Sequence, residues 1–362
     1  MELSAALERY YETYNGERPE INELYSQFRY TELKGLDYNN HDGTIIRRDP
    51  TKVIFADGVF HVWYTCRKSA KPQNGCNNCD IWHATSKDGF TWEEQGVAVS
   101  RPVQPLPGWF SVLTPDILEW EGKYYLYYQA FGDESGKHKQ SPVMVSTADA
   151  PDGPWTSHNE IIVPRGAEGE WDHHCIHDPY LLVYRDKIHL YYKCDFGGTS
   201  HADFIRMHGL ATADNPLGPF VKHPLNPIMN SGHETTLFPF KEGIAAFAIA
   251  DGNERSTIQY AEDGVNFNIA ATVALIPHAA GPFVPDAFTN ADYGRGITWG
   301  LSFTYPRENI KSRMLVRFDC DLSLDVDDPK MKARPGMHDA EYLFGHGLNE
   351  EQRRERLRQG ER

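Results

Sequence analysis

Five acidic residues, each at the start of a similar stretch of sequence, are the side chains whose types and spacing point most directly to chemistry. Asp49, Asp116 and Asp178 each precede a short apolar run, a tight turn and an aromatic-rich run. Glu234 and Asp286 begin two more degenerate copies. Carboxylates that share a site repel one another, so one holds a proton while another acts as a base. Paired carboxylates with divided roles hydrolyse glycosidic bonds.

The stretches that must position these carboxylates have the pattern of β-hairpins. The first runs from Asp49 to Thr65, with Gly58 at the turn and alternating aromatic residues after it. Further strand-and-turn segments follow the hairpins, for example 81–89. The repeats begin about 52 to 67 residues apart, an interval that suits one four-stranded blade each. The sequence therefore predicts an all-β, five-bladed β-propeller; a sandwich or barrel is the alternative, but neither explains the repeated acidic starts.

The first strand of a propeller blade is innermost, so equivalent residues of different blades meet at one mouth of the central channel. We therefore predict that Asp49, Asp178 and Glu234 carry the chemistry, with water as nucleophile and no organic cofactor. Two alternatives stay open. An acidic residue before a strand also caps turns. A ring of carboxylates also holds a divalent cation on the axis, whose identity the sequence leaves unknown.

His233 directly precedes Glu234 and changes the assignment of the proton donor. An imidazole titrates near neutral pH, so it can donate the proton itself while the adjacent carboxylate orients it. A structural role is the alternative for a single histidine beside a strand. The sequence leaves open whether His233 or Glu234 is the general acid.

Several neighbours are candidates for binding the substrate. The second strand of each hairpin returns to the same mouth, which brings back Thr65, Gln129 and Lys193. Thr114 shares the face of Asp116, His177 borders Asp178, and an aromatic platform for a sugar ring is expected from Trp82 or Trp109. For the tryptophans, packing between strands is the alternative.

The charge balance restricts the partners. Lys and Arg number 36 against 51 Asp and Glu, a formal net charge of −15, which disfavours nucleic acid and anionic membrane surfaces. A small neutral oligosaccharide fits better. The sequence has no apolar run of membrane-spanning length and no leader pattern at its start, so we expect a cytoplasmic protein, with a trimmed periplasmic form as the alternative.

The cysteines give one further candidate site. Cys76 and Cys79 form a CxxC pair, with Cys66 ten residues before Cys76, and such a set serves as zinc ligands or as a redox pair. No second CxxC completes a zinc site. A reduced, cysteine-containing loop is the simpler interpretation.

The two ends of the chain differ from the repeats. Apolar residues at helical spacing in 2–14 and 20–28 predict a helix-turn-helix extension within residues 1–35, whose apolar stripe is expected to pack on a partner subunit. The propeller domain is predicted to span 36–335. Residues 336–362 form a charged C-terminal tail.

Four motifs together resemble glycoside hydrolase family 117: Arg47-Arg-Asp-Pro50, Thr114-Pro-Asp116, His177-Asp-Pro179 and Gly232-His-Glu-Thr235. The resemblance implies an exo-acting, inverting α-1,3-(3,6-anhydro)-L-galactosidase, also called a neoagarobiose hydrolase, which takes part in agar degradation. It makes Asp49 the general base, Asp178 and Glu234 essential carboxylates and His233 the candidate acid. Sugar-lining roles follow for Asp116, Thr114 and Gln129.

The same resemblance implies a homodimer that swaps its N-terminal helices and brings the C-terminal region, with His338 or His346, toward the partner's site. A more distant likeness to family 43 arabinanases and β-xylosidases would make Glu234 the acid. The competing functions are therefore an arabinosidase or xylosidase and a non-catalytic sugar-binding propeller.

Overall fold

The computed structural model describes residues 23–72, 77–132, 142–196, 205–230, 233–234, 236–249, 254–306, 309 and 312–324. Their regular structure consists of β-strands and one 3-10 turn, Asn39–His41, which confirms the all-β prediction. No helix in this described part of the chain is long and apolar enough to cross a membrane.

Three antiparallel sheets follow one another along the chain, and we call them units 1, 2 and 3. After β1 (Arg29–Glu32), unit 1 contains β2 (Ile45–Pro50), β3 (Ile54–Ala56), β4 (Val59–Lys68), β5 (Asp80–Ser86) and β6 (Trp92–Val99). Unit 2 contains β7 (Ser111–Trp120), β8 (Lys123–Phe131), β9 (Val143–Ala148) and β10 (Thr156–Val163). Unit 3 contains β11 (His177–Tyr184), β12 (Lys187–Phe196), β13 (Ile205–Ala213) and β14 (Val221–Lys222).

The remaining strands form one eight-stranded sheet, in which we distinguish units 4 and 5. Unit 4 contains β15 (Leu237–Lys241), β16 (Gly243–Ala248), β17 (Thr257–Ala261) and β18 (Asn268–Thr272). Unit 5 contains β19 (Gly281–Pro282), β20 (Gly294–Thr304), β21 (Met314–Ser323) and, from the start of the chain, β1. A two-residue pairing between β15 and β20 joins the two units. The pairings among the described strands do not form a closed sheet, so the closed five-bladed propeller stays a prediction.

The structure corrects the predicted repeat register in units 2 and 5. Asp49, Thr114 and Asp178 have φ values of 49°, 45° and 50°, and each precedes a proline at a register shift in its sheet. The residue of unit 2 equivalent to Asp49 is therefore Thr114, and Asp116 lies two residues further along. Asp286 lies between β19 and β20 and forms an ion pair with Arg295 at 3.1 Å, so it is not an equivalent of Asp49.

The N-terminal helix prediction is wrong for the residues that the structure describes. Residues 23–28 form a turn and an extended segment, and residues 29–32 form β1, which pairs with β21. Leu24, Ser26 and Phe28 are buried while Glu23 and Tyr25 are exposed, so burial here alternates with a period of two. The first predicted helix lies outside the described residues, as does the predicted tail 336–362.

Asp116 links the first strands of three units. It is 1% exposed, and its carboxylate forms an ion pair with the ammonium of Lys52 in unit 1, itself 1% exposed. The backbone N–H of Leu181 in unit 3 donates to Asp116 Oδ2 at 2.7 Å. The Tyr180 ring lies 3.9 Å from Lys52 Nζ. The substrate-binding role predicted for Asp116 is disfavoured because its carboxylate oxygens are already engaged by these protein groups.

We predict that Asp116→Asn lowers the free energy of unfolding by about 3 to 5 kcal/mol, because it leaves the Lys52 ammonium buried without its counter-ion. The double variant Lys52→Met, Asp116→Asn should be more stable than Asp116→Asn alone, as it removes the uncompensated charge. Urea unfolding of the three proteins measures both effects. Lys123→Met, at the exposed ion pair with Asp149, is the control and should change stability by less than about 1 kcal/mol. A double variant less stable than Asp116→Asn would contradict the charge argument.

Candidate active site

A repeated local conformation brings the site residues of units 1, 2 and 3 together. In each unit a non-glycine residue adopts a left-handed backbone conformation just before a proline and just where the strand bulges: Asp49, Thr114 and Asp178. A bulge re-aims the side chain at that position. Such backbone conformations cost roughly 1 to 3 kcal/mol each and persist only where the surrounding structure enforces them.

These side chains line one small cavity together with residues of units 4 and 5. Its walls include Asp49, Thr114, Asp178, Glu234 and Ala280, and its volume is about 30 Å³. The three carboxylates are between 3% and 7% exposed. Asp49, Asp178 and Glu234 therefore converge on one cavity, as the sequence predicts. Asp116 lines the same cavity.

Basic side chains from neighbouring strands compensate the buried carboxylates. Arg48 Nε donates to Asp49 Oδ2 at 2.5 Å, and Arg48 Nη2 lies 3.5 Å from Glu234 Oε1. Lys193 Nζ lies 2.7 Å from Asp178 Oδ2. One guanidinium thus joins the carboxylates of units 1 and 4, while Asp49 Oδ1 has no hydrogen-bond partner among the described residues.

Glu234 lies between two histidines. His233 Nε2 is 3.8 Å from Glu234 Oε1, and His278 Nε2 is 3.6 Å from Glu234 Oε2. Burial opposes ionisation of Glu234, but the charges of His233, His278, Arg48 and Lys193 outweigh it and lower its pKa to about 2. Burial and the charge of Glu234 raise the pKa of Asp178, against the effect of Lys193. At neutral pH Glu234 is therefore a carboxylate.

Side chains from the second strand of one unit support the left-handed residue of the next. Thr65 Oγ1 accepts a hydrogen bond from the Thr114 N–H at 2.8 Å. Gln129 Oε1 accepts one from Thr114 Oγ1 at 2.7 Å and one from the Asp178 N–H at 3.3 Å. Thr65, Gln129 and Lys193 hold equivalent register positions, opposite Arg48, Leu113 and His177. Thr114 therefore lines the cavity, Gln129 supports the backbone of Asp178, and the sugar-binding roles expected of both stay predictions.

Gln129 and His233 do not line this cavity but contact residues of its wall, and three other predicted residues lie elsewhere. His177 is 2% exposed, and its ring lies 6.0 Å from that of Phe131. Trp82 packs against the core of unit 1, with Lys68 Nζ 3.8 Å from its ring. Trp109 lines a separate cavity of about 340 Å³ with Pro105, Pro107 and Arg165 among its neighbours. These placements do not support direct sugar contacts at the carboxylates by His177 or Trp82.

Sequence reasoning did not assign roles to three residues that the structure places at or beside the site. Arg48 lies inside the quoted Arg47-Arg-Asp-Pro50 motif, so its position next to Asp49 was an available signal. His278 lies outside the hairpin repeats, in the segment before β19. Arg206 Nη1 lies 3.2 Å from His233 Nδ1. Since a guanidinium only donates, Nδ1 of His233 is the acceptor there, and the proton of the neutral ring is on Nε2, which faces Glu234.

Two groups of side chains bear on the predicted metal sites. One nitrogen each from His233 and His278 and an oxygen of Glu234 lie within 4.8 Å of one another, a donor set suited to a transition metal. Cys66 and Cys79 are buried, and Cys76 lies outside the described residues, so the geometry of a three-cysteine site is not defined.

Comparison with known proteins supports a glycoside hydrolase. The model of glycosyl hydrolases family 43 matches residues 47–195. A thermostable family 43 glycoside hydrolase is 15% identical over 85% of this chain and 98% of its own, with a TM-score of 0.55. A family 43 β-xylosidase/α-arabinofuranosidase from a compost metagenome is 16% identical over 81% of this chain and 94% of its own, also with a TM-score of 0.55. These distant likenesses show a family-43-like fold. No curated protein matches the chain.

One solved structure is much more similar. Zg3597, a family 117 glycoside hydrolase produced by the marine bacterium Zobellia galactanivorans, shares 54% sequence identity over 91% of this chain and 100% of its own, with a TM-score of 0.80. Identity at this level over the whole relative extends beyond fold to family. The chain therefore belongs to glycoside hydrolase family 117 and is a glycosidase.

Proposed function

We propose that this enzyme releases 3,6-anhydro-L-galactose from the non-reducing end of neoagarobiose and neoagaro-oligosaccharides, with inversion at the anomeric carbon. The observation that carries the proposal is the family relationship at 54% identity, joined to a compact site with three buried carboxylates. The arabinosidase and xylosidase alternatives depend on likenesses of 15% to 16% identity, which support the fold alone. A non-catalytic propeller would not require the charge arrangement around Glu234.

We further propose that the five units are the blades of one propeller. Residues of all five units line or closely border the small cavity, as expected if the first strands surround a common axis. The Asp116 carboxylate accepts hydrogen bonds from the backbone N–H groups of Lys52 in unit 1 and Leu181 in unit 3. In this arrangement β1 supplies the outermost strand of the last blade, so the start of the chain closes the ring next to its end.

Asp49 has the position and the free oxygen that a general base requires. Arg48 holds Oδ2, and Oδ1 is left to accept a proton from water. The cavity between the carboxylates, about 30 Å³, has room for at least one water molecule beside Asp49. An inverting enzyme needs a single water placed by its base on the face opposite the leaving group.

His233 is the better candidate for the general acid. Glu234 has a pKa lowered to about 2, so at neutral pH it has no proton to give. Nε2 of His233 is the ring nitrogen that faces Glu234 and is available to donate. If a doubly protonated His233 ring donates, Arg206 must first move away from Nδ1, because a guanidinium N–H cannot donate to a nitrogen that already carries hydrogen.

An axial divalent cation is not needed at the carboxylate ring. Asp49, Asp178 and Asp116 each have a basic partner, namely Arg48, Lys193 and Lys52. These cations occupy the coordination space that calcium or magnesium would take with several oxygen ligands. We infer that built-in side-chain cations supply the positive charge at the axis.

The first prediction concerns substrate and base together. The wild-type enzyme should convert neoagarobiose to 3,6-anhydro-L-galactose and galactose, and Asp49→Asn should lower kcat by at least about 10²- to 10⁴-fold because no base then activates water. Chromatography of the released sugars measures both. Asp57→Asn, an exposed aspartate in the turn of the same hairpin, is the control and should retain activity. Turnover of arabinosyl or xylosyl substrates in place of neoagarobiose would contradict the substrate assignment while leaving the site intact.

The second prediction separates the two acid candidates. His233→Ala and Glu234→Gln should each lose most activity on neoagarobiose. On an aryl 3,6-anhydro-L-galactoside with a nitrophenol leaving group, which needs no protonation, only His233→Ala should recover to within about ten-fold of wild type. Steady-state kinetics on both substrates give the comparison. Recovery by Glu234→Gln with none by His233→Ala would assign the acid to Glu234.

The third prediction concerns assembly. We propose a homodimer held by residues 1–22, following the family resemblance and the apolar stripe in the sequence. Deletion should end before residue 23, because Leu24, Phe28 and β1 pack against units 4 and 5 of their own chain. The protein that lacks 1–22 should sediment as a folded monomer, whereas the full chain sediments as a dimer. A truncated protein that remains dimeric would overturn the swapped-helix proposal.

A further inference from the structure

Two buried histidines lie side by side on one face of unit 1, away from the carboxylate cavity. His61 on β4 and His83 on β5 are diagonal neighbours, because Trp63 is the residue opposite His83. They are 2% and 4% exposed, and His61 Nδ1 lies 3.0 Å from His83 Nε2. The two rings are nearly parallel, with 5° between their planes, and the His83 ring stacks on Trp63 with centroids 4.8 Å apart.

A carboxylate from unit 2 completes the cluster. Asp152 lies in the turn between β9 and β10, and its Oδ1 is 3.9 Å from His61 Nδ1 and 3.7 Å from His83 Nδ1. Trp155, three residues along the same turn, packs edge-on against Trp63 at 5.7 Å. The contact between the tryptophans therefore holds the turn of unit 2 over the histidines of unit 1.

The spacing of the three donors is close to that of a metal coordination sphere. One nitrogen from each histidine and one oxygen of Asp152 all lie within 4.8 Å of one another. Four ligands at about 2.0 to 2.1 Å from a tetrahedral zinc ion are roughly 3.3 Å apart. With His83 Nε2 as its donor, the separations from His61 Nδ1 are 3.0 Å to that nitrogen and 3.9 Å to Asp152 Oδ1, one on each side of that value. The other ring nitrogen of His83, Nδ1, lies 3.7 Å from Asp152 Oδ1. The Asp152 side chain is 72% exposed, so it can move the remaining distance at little cost.

We propose that His61, His83 and Asp152 form a binding site for a divalent transition metal of the zinc class, with water as a fourth ligand. Imidazole nitrogens and a carboxylate oxygen select zinc or its neighbours over calcium and magnesium. The ion would bridge β4 and β5 of unit 1 to the β9–β10 turn of unit 2, so its role is to join the two units. None of the three residues lines the carboxylate cavity, which separates this site from the chemistry.

The test uses cobalt(II), whose visible absorption reports tetrahedral coordination, followed by displacement with zinc, on the full chain stripped of metal. The wild type should bind one more equivalent than Asp152→Asn, or Asp152→Asn should hold that equivalent at least about ten-fold more weakly. Asp149→Asn is the matched control, since Asp149 is an exposed aspartate of the same turn whose partner is Lys123. It should bind as the wild type does.

A second variant addresses folding and the histidine pair at the carboxylates. His83→Gln should lose the same equivalent, while His278→Gln, which alters the donor set near Glu234, should keep it. Zinc should also raise the melting temperature of wild type by more than that of Asp152→Asn, whose exposed position leaves folding without zinc unaffected. Equal metal binding by wild type and Asp152→Asn would overturn the proposal and leave a hydrogen-bonded histidine pair stacked on Trp63.

Discussion

The structure buries several carboxylates close together, and each of them needs a compensating positive charge. The buried ion pair between Lys52 and Asp116 supplies that charge where three units meet. Asp116 reaches from unit 2 to the ammonium of unit 1 and to a backbone N–H of unit 3. A buried carboxylate without such partners would cost several kcal/mol and would take up a proton instead. These contacts of Asp116 connect three neighbouring units, and the first strands of those units carry Asp49, Thr114 and Asp178, which line the same cavity as Asp116. Packing and chemistry therefore share one electrostatic arrangement.

The left-handed residues extend that arrangement into the site. Aspartate tolerates this conformation, whereas Thr114 is β-branched and strained in it, so its support by Thr65 and Gln129 has a clear physical reason. Thr65 of unit 1 supports Thr114 of unit 2, and Gln129 supports both Thr114 in its own unit and Asp178 of unit 3, so the backbone at each of these two site residues is held in part by the preceding unit. Strain of this kind is tolerated where the surrounding contacts over-determine the backbone.

The hairpin patterns in the sequence are sufficient to predict an all-β fold. They predict only part of the candidate site. Asp49, Asp178 and Glu234 could be placed together because each opens a repeat. Acidity was a misleading marker in unit 2, where the shared feature is the following proline, and this made Asp116 appear equivalent to Asp49. Asp286 also appeared equivalent to Asp49 because it is acidic, but it lies between β19 and β20 and pairs with Arg295. The second N-terminal helix was wrong because apolar residues four apart, Leu24 and Phe28, share a face in an extended strand as well as in a helix.

The general acid cannot be identified from a local sequence pattern. The protonation state of Glu234 depends partly on charges that other units bring to it. Burial favours the neutral form of Glu234, but the charges of the adjacent His233 and then of His278, Arg48 and Lys193, which other parts of the fold bring to it, keep it ionised. Remove those cations and the same carboxyl would be a natural acid, as the family 43 likeness implies. The adjacent His233, whose Nε2 lies 3.8 Å from Glu234 Oε1, is then the remaining candidate for the acid. Within one fold, the neighbours of a carboxylate decide whether it donates a proton or stabilises the residue that does.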